Sequence, residues 1–109
     1  MLLIVCIAYA QVPKSQRMVL VEEFTQASCY SCALYNPALN TLLAANTSKV
    51  ISLKYQTSWP GVDPMNAANP SDVAGRVSFY GWISGVPIVV KDGDLPPKKS
   101  YFPQLITTC

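Results

Sequence analysis

Two cysteines stand three positions apart, Cys29 and Cys32, inside the stretch ASCYSCALYNPALNTLL (27–43). A Cys-x-x-Cys supports three chemistries: a reversible dithiol–disulfide couple, half of a zinc site, or a structural cross-link. Zinc wants four ligands. The chain has no histidine and no second Cys-x-x-Cys, its other cysteines being the isolated Cys6 and Cys109. A cross-link across three residues closes a very short loop, the kind that constrains an unfolded chain least. Position and spacing favour the redox couple, with an inert disulfide of an exported protein as the alternative.

Exchange needs one sulfur that is accessible and ionised, and a free cysteine with a pKa of about 8.5 is only a few per cent thiolate at pH 7. A helix N-terminus favours a negative charge by about 0.3–1 kcal/mol, rising to ~2 when partly buried. One pKa unit corresponds to ~1.4 kcal/mol, so larger shifts need direct hydrogen bonds from first-turn N–H groups or the second thiol. Ser28 reads as the N-cap of a helix that places Cys29 in its first turn and Cys32 on the same face. Cys29 is then the attacking sulfur and Cys32 the resolving one, more deeply buried.

Around the pair the chain alternates strand and helix patterns. MVLVEEFT (18–25) reads as a buried strand. Ala33, Leu34, Leu39, Leu42 and Leu43 give the following helix its apolar face, NTS (46–48) closes it, and Pro37 interrupts it and kinks it. KVISLKYQT (49–57) is a second strand, and SWPGVDPMNAANP (58–70) a surface loop with three prolines. SDVAGRVSFYGW (71–82) is a short helix capped by Ser71, and Ile88–Lys91 a third strand reached through Pro87 and ended by an Asp92-Gly93 turn. Right-handed crossover makes the first two strands parallel. Trp59 and Trp82 read as packing residues. The tail LPPKKSYFPQLITTC yields no clear element, its partner strand coming late or lying beyond the chain.

At 109 residues the sequence has room for one small domain. Half of it is hydrophobic and 13% charged, which argues against disorder. A net charge of +2 with no basic cluster larger than Lys98-Lys99 gives no footprint for nucleic acid. Residues 1–10, LLIVCIAYA after Met1, resemble the remnant of a secretory signal ending in Ala8-Tyr9-Ala10, too short for a transmembrane span. Residues 11–17 form a linker and 18–109 the domain.

Several positions together resemble the thioredoxin-fold family, over roughly residues 18–94. Pro37 lies five residues after Cys32, and an acid, Glu23, six before Cys29. SGVPIVV carries Val86-Pro87 where thioredoxins place a cis-proline loop, and Lys54 sits where some carry a lysine near the acid. The phrases EEFT, WPG-DPM and RVS-YG…GVP are similar to exported, outer-membrane-associated thioredoxin-like proteins of Gram-negative bacteria. The resemblance implies an α/β three-layer sandwich around a small mixed sheet, incomplete at its C-terminus. It implies a thiol-disulfide oxidoreductase with Cys29 and Cys32 as the redox pair and Glu23 as proton relay. In an alternative reading Glu22 is the buried acid and Glu23 an exposed strand-end carboxylate. Val86 and Pro87 would meet the substrate peptide, cis at the proline, with Tyr30 and Ser31 between the cysteines shaping substrate contact and reduction potential. The partners implied are protein thiol or disulfide clients and an upstream electron donor or acceptor protein, with no dissociable cofactor and no metal. The location implied is periplasmic, outer-membrane-associated or extracellular. The competing reading is a non-catalytic thioredoxin-like binding module that holds Cys29–Cys32 as a permanent disulfide.

Overall fold

A computed structural model describes residues 14–94. Along them run β1 (Val19–Thr25), α1 (Tyr30–Ala45), β2 (Val50–Gln56), α2 (Pro64–Ala68), α3 (Pro70–Tyr80) and β3 (Ile88–Lys91). The three strands form one mixed sheet in the order β2-β1-β3. β1 and β2 are parallel, with Glu22 opposite Leu53 and Glu23 opposite Lys54. β3 runs antiparallel to β1, pairing Phe24 with Ile88 and Glu22 with Val90. The described residues therefore form a small α/β domain with a three-stranded mixed sheet, and both β1–β2 parallelism and the bounds of the third strand agree with the sequence pattern.

Side chains on a strand alternate between faces, and β1 uses this to present different chemistry on its two sides. Phe24 points toward α3 and nucleates a core with Tyr80, Ile83 and Val90. It stacks on Tyr55 of β2 and meets Tyr80 edge-on, the two offset geometries aromatic pairs prefer. Trp59 and Trp82 pack against this cluster. On the same face Glu22 is fully buried. Arg76 of α3 answers it as a fork, Nε donating to Oε1 at 2.6 Å and Nη2 to Oε2 at 2.9 Å. The Tyr80 hydroxyl donates to the same Oε2. Burial pushes the Glu22 carboxyl up, but the Arg76 and Tyr80 hydrogen bonds outweigh it and hold the group below its ordinary 4.5. Burial and the Glu22 contact push the Tyr80 hydroxyl up to about 12. This cluster fastens α3 to the central strand.

The opposite face of β1 carries Glu23, also fully buried, so the two acids are not alternatives. One serves each face.

Three details depart from the sequence pattern. Cys29, not Ser28, is the N-cap of α1; a sulfur in that position accepts an N–H much as the hydroxyl would. The segment 58–70 is not a plain surface loop, since it contains α2 and the buried Asp63 and Asn66. α3 starts at Pro70 behind Asn69, one residue ahead of the proposed Ser71 cap. In both short helices a proline occupies the first turn, where its missing N–H costs nothing. Pro37 does lie inside α1. α3 ends at Gly81, whose φ of 70° is left-handed and suits glycine. The leader-like residues 1–10, residues 11–13 of the proposed linker and the tail from residue 95 on, Cys109 included, lie outside the described residues.

Removing one partner of a buried ion pair strands the other charge, a loss of about 3 kcal/mol. Arg76→Met is expected to lower unfolding stability by about that amount in urea denaturation. A carboxyl depressed in the folded state contributes stability above its unfolded pKa and loses it as pH falls. Stability should therefore decline below about pH 4.5, and Glu22→Gln should flatten that acid-side slope when unfolding is followed from pH 6 to pH 2.

Candidate active site

The dithiol motif sits where β1 hands over to α1. Cys29 and Cys32 are joined as a disulfide with their Cα atoms 5.2 Å apart. As N-cap, Cys29 has an extended backbone and its Sγ accepts the Cys32 N–H at 3.1 Å. That N–H belongs to the first turn, which lacks intrahelical acceptors. It would serve a Cys29 thiolate in the reduced protein the same way, favouring the charged form.

On its other side Cys29 meets the loop before β3. Its Sγ lies 3.7 Å from the Val86 carbonyl oxygen. The Ser31 hydroxyl is 3.3 Å from that sulfur and donates to the same carbonyl, also at 3.3 Å. The Val86-Pro87 peptide is cis. Cys29, Ser31, Val86 and Pro87 are thus brought together, whereas Tyr30 projects into solvent with 79% of its surface exposed. Neither cysteine is openly accessible, at 5% for Cys29 and 2% for Cys32. The difference falls in the expected direction but is small.

Below the motif, α1 turns a polar stripe toward the sheet. Cys32, Asn36 and Asn40 follow one another at four-residue spacing, one turn each. Asn36 donates from Nδ2 to Thr25 Oγ1 at 2.8 Å. Asn40 accepts from Lys54 Nζ at 2.6 Å, and Lys54 Nζ stands 2.7 Å from Glu23 Oε2. The register explains this last pair, because Glu23 and Lys54 face each other on neighbouring strands. Neither Glu23 oxygen, though, receives a well-directed hydrogen bond among the described residues. The ammonium supplies charge while acceptor capacity at the carboxylate stays unused.

A cleft of about 500 Å³ opens between α1 and the start of α2. Both cysteines line it, with Asn36 and Asn40 from the stripe and Asp63 and Met65 opposite. It leads from the disulfide along the helix face that contacts Lys54.

The sequence reads 58–70 only as a surface loop, yet its first half, with Thr57 ahead of it, is built into the site. Thr57 Oγ1 bonds the Thr25 carbonyl at 3.2 Å and the Trp59 carbonyl at 2.7 Å. Asn66 Nδ2 donates to the Gln56 carbonyl at 2.7 Å. Asp63 caps α2 through Oδ1, which accepts from Met65 and Asn66 N–H, and its Oδ2 accepts the Ala27 N–H at 2.8 Å. Burial pushes the Asp63 carboxyl up, but three backbone N–H groups pull it below its ordinary 3.8. The signal was available: Asp-Pro at 63–64 is a cap followed by a first-turn proline.

Among the described residues no Cys, Asp or Glu cluster of three could hold a metal ion, and no helix is long and apolar enough to cross a membrane. Comparison with protein-family models, with curated proteins and with solved structures finds no match.

Lys54 is the cation facing Glu23, and removing it would leave that carboxylate buried without its charge partner. Lys54→Met is expected to cost about 2 kcal/mol of unfolding stability. Asn40→Ala, which removes only the amide that steadies the ammonium, should cost less than half as much in the same denaturation experiment.

Proposed function

We propose that the protein is an exported thiol-disulfide oxidoreductase of thioredoxin-like fold, acting on protein clients through Cys29 and Cys32. The observation that carries this reading is the position of the Cys29 sulfur. It caps α1, accepts a first-turn N–H and lies beside the loop of the cis Val86-Pro87 peptide, on a cleft that both cysteines line. The leader-like N-terminal pattern supports export.

In the reducing direction the Cys29 thiolate attacks one sulfur of a client disulfide. A Cys29–client bond forms, the client S–S bond breaks, and the other client sulfur leaves as a thiolate. Cys32, having lost its proton, attacks Cys29 Sγ. The Cys29–Cys32 bond forms, the mixed disulfide breaks, and the second client sulfur leaves. The client gains two electrons and the protein loses two; oxidation of a client dithiol is the reverse. Glu23 is suited to take the Cys32 proton because its carboxylate is buried with acceptor capacity unused. The Val86 backbone would lie beside an incoming extended client segment.

The shallow burial difference between the two sulfurs favours a second reading, a binding module with a permanent Cys29–Cys32 disulfide. A reduction potential below about −300 mV would establish that reading.

Under the first reading Cys29 alkylates faster than Cys32 at pH 7 in the reduced protein. Cys32→Ser should accumulate disulfide-linked complexes with a disulfide-containing protein, detected on non-reducing gels and dispersed by dithiothreitol. Equal, slow alkylation of both thiols with no trapped complex would refute it.

A further inference from the structure

Residues 26–28 carry the chain from β1 to Cys29, and two contacts from the 57–66 segment hold them. The first is the Ala27 N–H bonded to Asp63 Oδ2. Asp63 is itself fixed, being almost fully buried and tied by its other oxygen to the first turn of α2. The second is a close approach. A Cβ added at Gly61 would fall on Ser28 Oγ, well inside van der Waals contact, with Ser28 Cβ at 3.4 Å. That oxygen belongs to an exposed side chain, so a methyl at 61 would have to turn the Ser28 hydroxyl off Gln26 Oε1, to which it is bonded at 2.6 Å and which also receives the Ser28 N–H. Glycine at 61 thus spares the hydrogen bond that ties Ser28 into the turn. Thr57, bonded to the Thr25 carbonyl, anchors the near end of the same segment to β1.

Cys29 follows directly. Its capping role depends on an extended backbone at that residue, so that Sγ reaches the Cys32 N–H. Rotation of residues 26–28 would carry the sulfur off that donor. We propose that Asp63 and Gly61 are positioning residues for the dithiol, holding Cys29 in the capping geometry that makes its thiolate available. The inference rests on the thiol-exchange reading and adds to it two residues that act on Cys29 through residues 26–28.

Two substitutions approach the brace from different sides. Asp63→Asn cannot accept on both sides: its oxygen can keep the α2 cap, and its NH2 then faces the Ala27 N–H. Gly61→Ala leaves every charge in place and pushes on Ser28. Adding Ser28→Ala to Gly61→Ala removes the oxygen that obstructs the new methyl. The readout is the pH profile of Cys29 alkylation by iodoacetamide in the reduced full-length chain, followed peptide by peptide by mass spectrometry, with folding checked by circular dichroism. Both single variants should raise the apparent Cys29 pKa by about one unit, a drop in thiolate and rate that reaches roughly tenfold at pH values below the parent pKa. The Ser28→Ala, Gly61→Ala double variant should return most of it.

If Asp63→Asn does not fold, the Gly61→Ala and double-variant pair decides alone. Folded variants with the parent profile overturn the positioning proposal while leaving thiol exchange intact, provided the parent still traps clients as Cys32→Ser. Faster alkylation in Asp63→Asn with no change in Gly61→Ala also overturns it, because Asp63 would then act through its charge. A parent Cys29 no more reactive than a free thiol removes the functional reading and the proposal with it.

Discussion

A carboxylate removed from water needs a compensating cation or a full set of donors, and β1 carries two in succession. Glu22 and Glu23 are both completely buried, and strand alternation sends them to opposite faces of the sheet. Each is answered from a different element, Glu22 by Arg76 of α3 and Glu23 by Lys54 of β2. The central strand is thereby committed to both layers at once. The two answers differ in kind. Glu22 is saturated by a guanidinium fork and a phenol, which is a structural solution. Glu23 has one ammonium nearby and no well-directed hydrogen bond among the described residues.

The dithiol is built on the same strand by shorter-range devices. The three residues between Thr25 and Cys29 form a turn, closed by the Cys29 N–H on the Gln26 carbonyl at 3.2 Å, that must still be tied to the rest of the domain. The Asp63 carboxylate does this by dividing its oxygens between two backbones, one at the start of α2 and one at Ala27. The Val86 carbonyl and the Ser31 hydroxyl limit Cys29 from the other side. The site is thus assembled from separate stretches of chain, and one of them carries both cysteines, Cys29 as the cap of α1 and Cys32 in its first turn.

How much of this could be read from the sequence depended on whether the relevant pattern was local. β1, β2 and β3 were legible because β-branched runs bounded by turn residues mark strands directly. α1 was legible from its apolar spacing and from the cysteine pair. α2 was hidden because a five-residue helix has too few turns to show a period, and three prolines nearby read as loop. That both glutamates are buried was not legible, since their burial depends on Arg76 and Lys54, which lie far along the chain. Asp63 and Gly61 were missed for the same reason: Asp63 matters through an amide 36 residues earlier, and Gly61 through a side chain it would strike.

The paired glutamates also bear on how the sheet finds its alignment. A one-residue slip of β1 exchanges the faces of every side chain on it. With identical acids side by side, a slip in one direction would put Glu23 in the Glu22 site, within reach of Arg76. Glu22 would then stand opposite Ser52, two positions and about 7 Å short of Lys54, and the Phe24 ring would face the ammonium instead. One of the two ion pairs is therefore lost with the register. The neighbouring positions add to the loss: Phe24 would leave its stack with Tyr55 and its edge contact with Tyr80, and Thr25 would lose its bond from Asn36. One cation, one ring and one hydroxyl together select a single strand pairing.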